Sequence, residues 1–508
     1  MQALMDAFSH TTMQALVDAF SMQALSHTTM QALSMQALSH TTAIAGICCA
    51  VVVLVVYRRA DDGGIPWATG AVPVLGHALA YQQGPADFVA AQCRAVGPVF
   101  RVNLAGKRMV VVGDSRDVVR QVTRAPERAL SSKDAVAAVG FAETLGRRNV
   151  FEGTDFHKRT LKGAYGDGRL LAEEFPALHA ALEAAFAVEA PGGAVEDLFD
   201  VVRRCVLRAT LDRFVGGGLV GRGGPRLIDE LMGFQDAVES ATAAAAVLPR
   251  WLSLPAVLWP VARRRRALQR TLAASLAPAL AAADGGPWLR SFQGMAPFDA
   301  AELLLGLVFA AHKNPAIGAA QALVFLEAEG GDGARARARA EAAALAAAPS
   351  LEALLAADGL MRATYEALRC TAHTIGAVRV AKEPIVLAGK WPVRRGETIA
   401  LSHVAWSRCP AEWGADPARY DAGRPEYGGP GGRDPRTRLA ACDDAKFSVF
   451  SQGVHKCPGE KVALVLVAAT LAVLVRRGAT PTAARPICFE RATLAQRKGA
   501  VPAVFDDV

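Results

Sequence analysis

The stretch that decides the reading is Phe450-Ser451-Gln452-Gly453-Val454-His455-Lys456-Cys457-Pro458-Gly459-Glu460, followed by an apolar run to Val475. Pro458 suits the first position of a helix, Glu460 puts an acid in its first turn, and Arg476 with Arg477 closes its last. On this reading Cys457 is the N-cap, where unsatisfied backbone N–H groups and the helix dipole favour a thiolate. Gly453 permits a tight turn at positive φ, and Gly459 removes a side chain where something flat approaches the sulfur. Phe450 is placed to keep water from the thiol and His455 to donate to an anionic group. The run Val462 to Val475 is apolar all round but only fourteen residues long. A membrane span needs about 20, so this is a buried core helix.

A thiolate in a dry, glycine-lined loop is what a haem iron takes as axial ligand, and its electron donation favours O–O cleavage. The totals allow this chemistry. Hydrophobic residues make up 52% and charged residues 20% of 508, which excludes a disordered polyelectrolyte, and the abundant alanine favours helix. A net charge of +8 is a mild bias over such a length, and no nucleic-acid motif accompanies it. Nine scattered cysteines without a Cys-x-x-Cys argue against a disulfide framework or a zinc site.

Working outward, the N-terminus reads as address. Met-Gln-Ala-Leu recurs from Met1, Met13, Met22, Met30 and Met35, so residues 1–42 form a low-complexity leader. Residues 43–59 read as a single membrane anchor: an uncharged run from Ala43 to Tyr57 meets Arg58 and Arg59, which places the chain beyond Arg59 in the cytosol. Residues 60–508 read as one large mainly α domain with small peripheral β-sheets. A hairpin is expected at Pro98–Gly106 and Met109–Val112, short strands at Ile385–Ser402, and a second hairpin at Cys488–Phe505. Trp251 to Pro260, followed by Arg263 to Arg266, reads either as an apolar loop at a membrane interface or as a core-facing loop before a solvated helix.

The ligand loop resembles the Phe-x-x-Gly-x-x-x-Cys-x-Gly signature of the cytochrome P-450 family, the haem-thiolate monooxygenases. Glu366-Ala367-Leu368-Arg369 resembles the family's Glu-x-x-Arg pair, which a spacing of three puts on one helix face. Arg424, after Asp416 and Pro417, matches the later arginine that joins that pair. The resemblance covers residues 60–508, with Pro66 and Pro73 like the hinge after the anchor in membrane-bound members. It implies haem b (iron protoporphyrin IX) held by Cys457 as metal ligand, with Phe450, Gly453, His455 and Gly459 around it. It further implies a lipophilic substrate, O2, and electrons from a separate NADPH-dependent flavoprotein reductase at the endoplasmic reticulum membrane. Lys446, Lys456 and Lys461 are candidates for the docking face of that reductase. Arg379 is the candidate for a haem propionate, and His157, Lys158 and Arg159 are less secure ones.

One departure matters. The helix expected from about Phe298 to Glu329 carries Ala310-Ala311-His312-Lys313-Asn314-Pro315 where the family has Ala-Gly-x-(Asp/Glu)-Thr. Ala311 and Asn314 thus occupy the oxygen-activating positions, and Asn314 can hold a water but is no ready proton shuttle. Pro315 cannot donate to the Ala311 carbonyl, so the helix must open there. Ala-x-x-Asn resembles the branch of sterol hydroxylases and prostacyclin synthase, and the Trp251 stretch resembles sterol demethylases. A hydroxylase of a sterol or fatty-acid-like substrate is expected. The alternatives are an isomerase or dehydratase acting on a lipid peroxide without a reductase, and a non-catalytic haem-binding protein.

Overall fold

The computed structural model describes residues 64–506, except 74, 166–167, 217, 225, 249, 283–284, 428–445, 484 and 490–492. The leader and the anchor expected at residues 1–59 lie outside the described residues. The described chain belongs to the compact unit Asp62–Val508, which is mainly α-helical with small sheets.

The helices that matter for the site are α1 (Ser132–Ala138), α2 (Gly153–Tyr165), α3 (Leu198–Thr210), α4 (Leu227–Val247), α5 (Trp259–Ala281), α6 (Pro297–Ala311), α7 (Lys313–Glu329), α8 (Asp358–Cys370) and α9 (Glu460–Arg476). α9 is buried from Val462 to Val475 and packs against α7 and α8, as an all-round apolar helix must. Together α6 and α7 are long and apolar enough to cross a membrane, but 78% of their apolar window is buried inside the protein. They form a core element, interrupted at His312.

The main sheet contains β1 (Val99–Leu104), β2 (Lys107–Val112), β3 (Leu130–Ser131), β4 (Ala377–Ala381) and β5 (Thr398–Leu401), in the order β1-β2-β5-β4-β3. The expected hairpin of β1 and β2 turns at Ala105 and Gly106, both at positive φ, which matches the twist of the flanking strands. β5 runs parallel to β2 and antiparallel to β4, with Ala377 opposite Leu401. Strand structure therefore returns at Ala377, earlier than the alternation from Ile385 suggested. The tail is not one hairpin. Ile487–Cys488 pairs with Gln496–Arg497, whereas Ala503–Phe505 joins Thr480–Pro481 and Gly193–Val195.

The Trp251 region is helical and not a loop: a wide turn, Leu254–Leu258, leads straight into α5. Trp251 stays 77% and Trp259 51% exposed. The arginines after them split. Arg265 is buried against Gln269 and Glu302, and Arg264 donates to the Gly233 carbonyl on α4. Only Arg263 and Arg266 remain free of those contacts and exposed.

Candidate active site

A cavity of about 740 Å³ lies between α6–α7, α1, α2, β4 and the loop before α9. Cys457, Pro458 and Gly459 line one side and Ala310, Ala311, Asn314 and Pro315 another, so the ligand and oxygen positions inferred from sequence meet around one space. That volume is within the range of about 300–1,000 Å³ typical of ligand and cofactor sites.

The loop is shaped by its backbone. The Cys457 N–H donates to the Phe450 carbonyl at 2.8 Å, closing the turn. Gly453 sits at φ +64°, and a Cβ there would lie 2.3 Å from the Thr123 carbonyl oxygen, so glycine is required twice over. A Cβ on Gly459 would project to 4.0 Å from the Cys457 sulfur, beside the cavity. Ser451 occupies φ +58°, ψ −171°, a region nearly confined to glycine. Phe450 is half-buried and lines the cavity.

Two expectations about the cysteine fail. α9 starts at Glu460 with Gly459 as N-cap, so Pro458 precedes the helix and Cys457 lies one residue further out. Nor is the free thiol acidified. Burial pushes Cys457 up to about 11, the Gly459 N–H and Lys456 pull it down, and the Glu460 charge adds to the rise. Cys457 is surface-accessible and lines the cavity. A metal bound there displaces the thiol proton, coupling binding to pH.

Opposite the sulfur, the helix breaks where Pro315 predicts. α6 ends at Ala311, His312 takes φ −112°, and α7 starts at Lys313. The Asn314 Oδ1 accepts the Leu494 N–H at 3.1 Å, which leaves its amide N–H groups as the donors at the break. Lys313 is not at the cavity. It is 3% exposed and pairs with Asp236 at 2.8 Å and Glu239 at 2.5 Å on α4. Leu494 brings the tail to the cavity wall.

The polar wall joins residues the sequence assigned to others, Glu127, His373 and His403, that it left unassigned. Arg379 is 4% exposed, and its guanidinium donates only to the neighbouring Val378 carbonyl among the described residues. Burial lowers its pKa and Glu127 counters this. His455 does meet an anion, but a protein one: its Nε2 lies 3.2 Å from Glu127 and its Nδ1 3.4 Å from the Ser132 hydroxyl. Glu127 is drawn to about 2, because the Lys133 and Ser132 N–H groups and the Ser131 and Ser132 hydroxyls outweigh its burial. Of the three residues after Phe156, His157 and Lys158 line the cavity. His157 faces the Leu303 carbonyl at 3.3 Å, and the Lys158 ammonium donates to Val454 in the ligand loop. His373 and His403 also line the cavity; nothing in the local sequence joins them, because thirty positions separate them and strand pairing unites them.

Behind the loop, the expected clamp is assembled. Arg369 grips Glu366 through two hydrogen bonds of 2.7 Å, and Arg424 reaches the same carboxylate at 3.0 Å. Lys446 and Lys456, candidates for a docking face, pair with Glu426 and Glu460, which locally offsets their charge.

A haem fits this arrangement on three counts. A thiol opens on an apolar cavity of adequate size, a glycine clears the space beside the sulfur, and a buried cation on the wall forms no salt bridge among the described residues. Fold and site together define a mainly α protein in which a cysteine lines a largely apolar cavity. The family model for Cytochrome P450 matches residues 357–478, the stretch that carries Glu366, Arg369, Arg379, Arg424 and Cys457. That stretch of the chain is similar to the cytochrome P450 family, whose members bind haem and act as oxidoreductases. No curated protein matches the chain.

Proposed function

We propose that the protein is a membrane-associated monooxygenase that hydroxylates a lipophilic, sterol- or fatty-acid-like substrate. O2 is the oxidant, and a separate NADPH-dependent flavoprotein reductase supplies the electrons. The observation that carries this reading is the Cys457 sulfur opening onto an apolar cavity beneath a broken helix. Haem b, when bound, supplies the oxygen chemistry. Cys457 ligates its iron, Gly453 and the Phe450 carbonyl hold the loop, and Arg379 neutralises a propionate. Lys158 braces the loop from α2. Ala311, with no side chain beyond Cβ, leaves room at the break, and the Asn314 amide donates there. The apolar lining excludes water and selects for lipophilic ligands. The exposed Trp251 and Trp259 suit the headgroup layer of the endoplasmic reticulum, alongside an anchor at residues 43–59.

The test is the reduced, carbon monoxide-bound difference spectrum of the full chain. A red-shifted Soret band that disappears in Cys457→Ala supports thiolate ligation; a band that survives this change overturns it. One observation favours a second reading. Lys313 turns away from the cavity to Asp236 and Glu239, and Asn314 offers only an amide. Among the described residues no acid stands at the break, and a lipid-peroxide isomerase does not need one. Turnover of a lipid hydroperoxide without NADPH would select it.

A further inference from the structure

Two polar side chains on the cavity wall have no role in the reading above. His373 lies on the loop leaving α8, and His403 begins the short helix His403–Ser407. The Val404 N–H donates to the His373 carbonyl at 2.9 Å, which fixes the two segments side by side. The ring centroids stand 6.3 Å apart with their planes at 89°. Both Nδ1 atoms are enclosed by protein without a hydrogen-bond partner, whereas neither Nε2 is enclosed or hydrogen-bonded among the described residues, so Nε2 is the atom each ring leaves for a ligand in the cavity. Gly376 is part of this arrangement. A Cβ at that position would lie 1.9 Å from His403 Nδ1, so the missing side chain is what lets the ring reach the wall.

The protonation state narrows the ligand. Burial takes His373 down to about 4. Burial, then His373 and Arg379, take His403 to about 3. Each ring is therefore a neutral imidazole with one N–H and one lone pair. Buried groups of this kind are almost always satisfied, by protein, water or ligand. A carboxylate can only accept, so it needs both rings in the tautomer that turns an N–H toward it, and it buries a charge with no cation from either ring. A ketone or an ether also accepts only and likewise needs both rings as donors, and a hydrocarbon pairs with neither. A hydroxyl accepts from one ring and donates to the other. A single oxygen about 2.9 Å from a nitrogen on each ring is compatible with the centroid spacing.

We propose that His373 and His403 together hold a hydroxyl group of the substrate, so that the substrate class is a lipophilic alcohol. This rests on the haem-thiolate monooxygenase reading and deepens it. The imidazole pair anchors one polar end, and the apolar lining takes the hydrocarbon. They are specificity-determining residues and take no part in the oxygen chemistry.

The experiment measures dissociation constants by calorimetry on the haem-loaded full chain, with 1-dodecanol, 1-methoxydodecane and dodecanoate as probes. The alcohol should bind about tenfold or more tighter than the ether, because a site built to pair a hydroxyl rejects the analogue that lacks it. His373→Leu and His403→Leu should erase that ratio, and His373→Gln, which keeps a donor and an acceptor, should restore part of it. Equal affinities for alcohol and ether in the unaltered protein overturn the inference and leave the pair to an ordered water. A preference for dodecanoate that depends on the histidines overturns it as well. The ligand contrast in the unaltered protein needs no variant to fold. The carbon monoxide spectrum is read separately: a thiolate band without an alcohol preference sinks this inference alone, whereas loss of the band sinks the reading beneath it.

Discussion

Arg369→Met should cost far more than its conservative shape suggests. Arg369 is fully buried, and besides its two bonds to Glu366 it donates to the carbonyls of Ser407, Pro417 and Arg419. Trp413 covers it, with the ring centroid 4.9 Å from the guanidinium carbon. Methionine fills much of the volume but strands the Ser407 and Pro417 carbonyls. It also leaves Glu366 with Arg424, Tyr427 and the Asp421 N–H. Removing one partner of a buried pair costs about 3–5 kcal/mol. Remaining partners put Glu366 at the low end, and each stranded carbonyl adds about 1 kcal/mol. A loss of about 4–5 kcal/mol is expected, a large share of the about 5–15 kcal/mol a domain has.

Arg424→Met is the internal control. Its side chain is 11% exposed, and Glu366 keeps the bidentate grip of Arg369 without it. The cost should be about 1–2 kcal/mol. Denaturant unfolding of the full chain, followed by far-ultraviolet circular dichroism, reads both as midpoint shifts at unchanged slope. Combining Arg369→Met with Glu366→Leu should recover at least about 2 kcal/mol relative to the summed single changes, because the stranded carboxylate is gone. A cost below about 1 kcal/mol for Arg369→Met, or parity with Arg424→Met, would refute the clamp as the element on which this region depends.

Ser451→Gly should stabilise by about 1 kcal/mol, since it relieves roughly 1–3 kcal/mol of backbone strain against a smaller glycine entropy cost, and the Ser451 hydroxyl has no partner to lose among the described residues; thermal midpoints check it. His312 should make the protein acid-labile. Burial holds it near about 3, so below its unfolded value of about 6.5 the native state binds fewer protons. Its contribution is complete above that value and falls by about 1.4 kcal/mol per pH unit as pH drops; His312→Leu should flatten unfolding midpoints between about pH 5 and 7. Trp251→Ser with Trp259→Ser should weaken binding to anionic vesicles several-fold and shift stability by less than about 0.5 kcal/mol, as co-sedimentation and denaturation would show.

What was legible in the sequence was local or repeated a spacing of physical meaning. The apolar run of α9, the turn at Gly453, the break before Pro315 and the Glu366–Arg369 pair each depend on residues a few positions apart. The errors come from what burial and long-range pairing decide. α9 begins at Glu460 and not Pro458, because the Cys457 N–H is spent closing the turn to Phe450. The thiol pKa moves up because desolvation and Glu460 outweigh the donor it does have. The basic run at α5 is divided by Glu302, some forty residues on, which draws Arg265 inside. The register that sets Ala377 opposite Leu401, and with it the meeting of His373 and His403, has no local signal at all.

Lys313 shows why a family position cannot be restored in isolation. The resemblance puts an acid there, so Lys313→Asp is the obvious repair. In this protein the position faces α4, where Asp236 and Glu239 already hold the ammonium and Asp236 also takes Arg203. An aspartate would add a buried like charge to two acids and remove the cation that Glu239 depends on. Each unpaired buried charge is worth about 3 kcal/mol or more, so Lys313→Asp should be harsher than Lys313→Met, which leaves Asp236 with Arg203. Adding Glu239→Lys to Lys313→Asp reverses the pair and should recover most of the loss; Glu239→Gln added to Lys313→Met should recover part. Unfolding midpoints of the four variants decide it. If Lys313→Asp alone is tolerated as well as Lys313→Met, the charge of α4 does not govern this position, and the missing acid is a choice made at the oxygen side of the cavity instead.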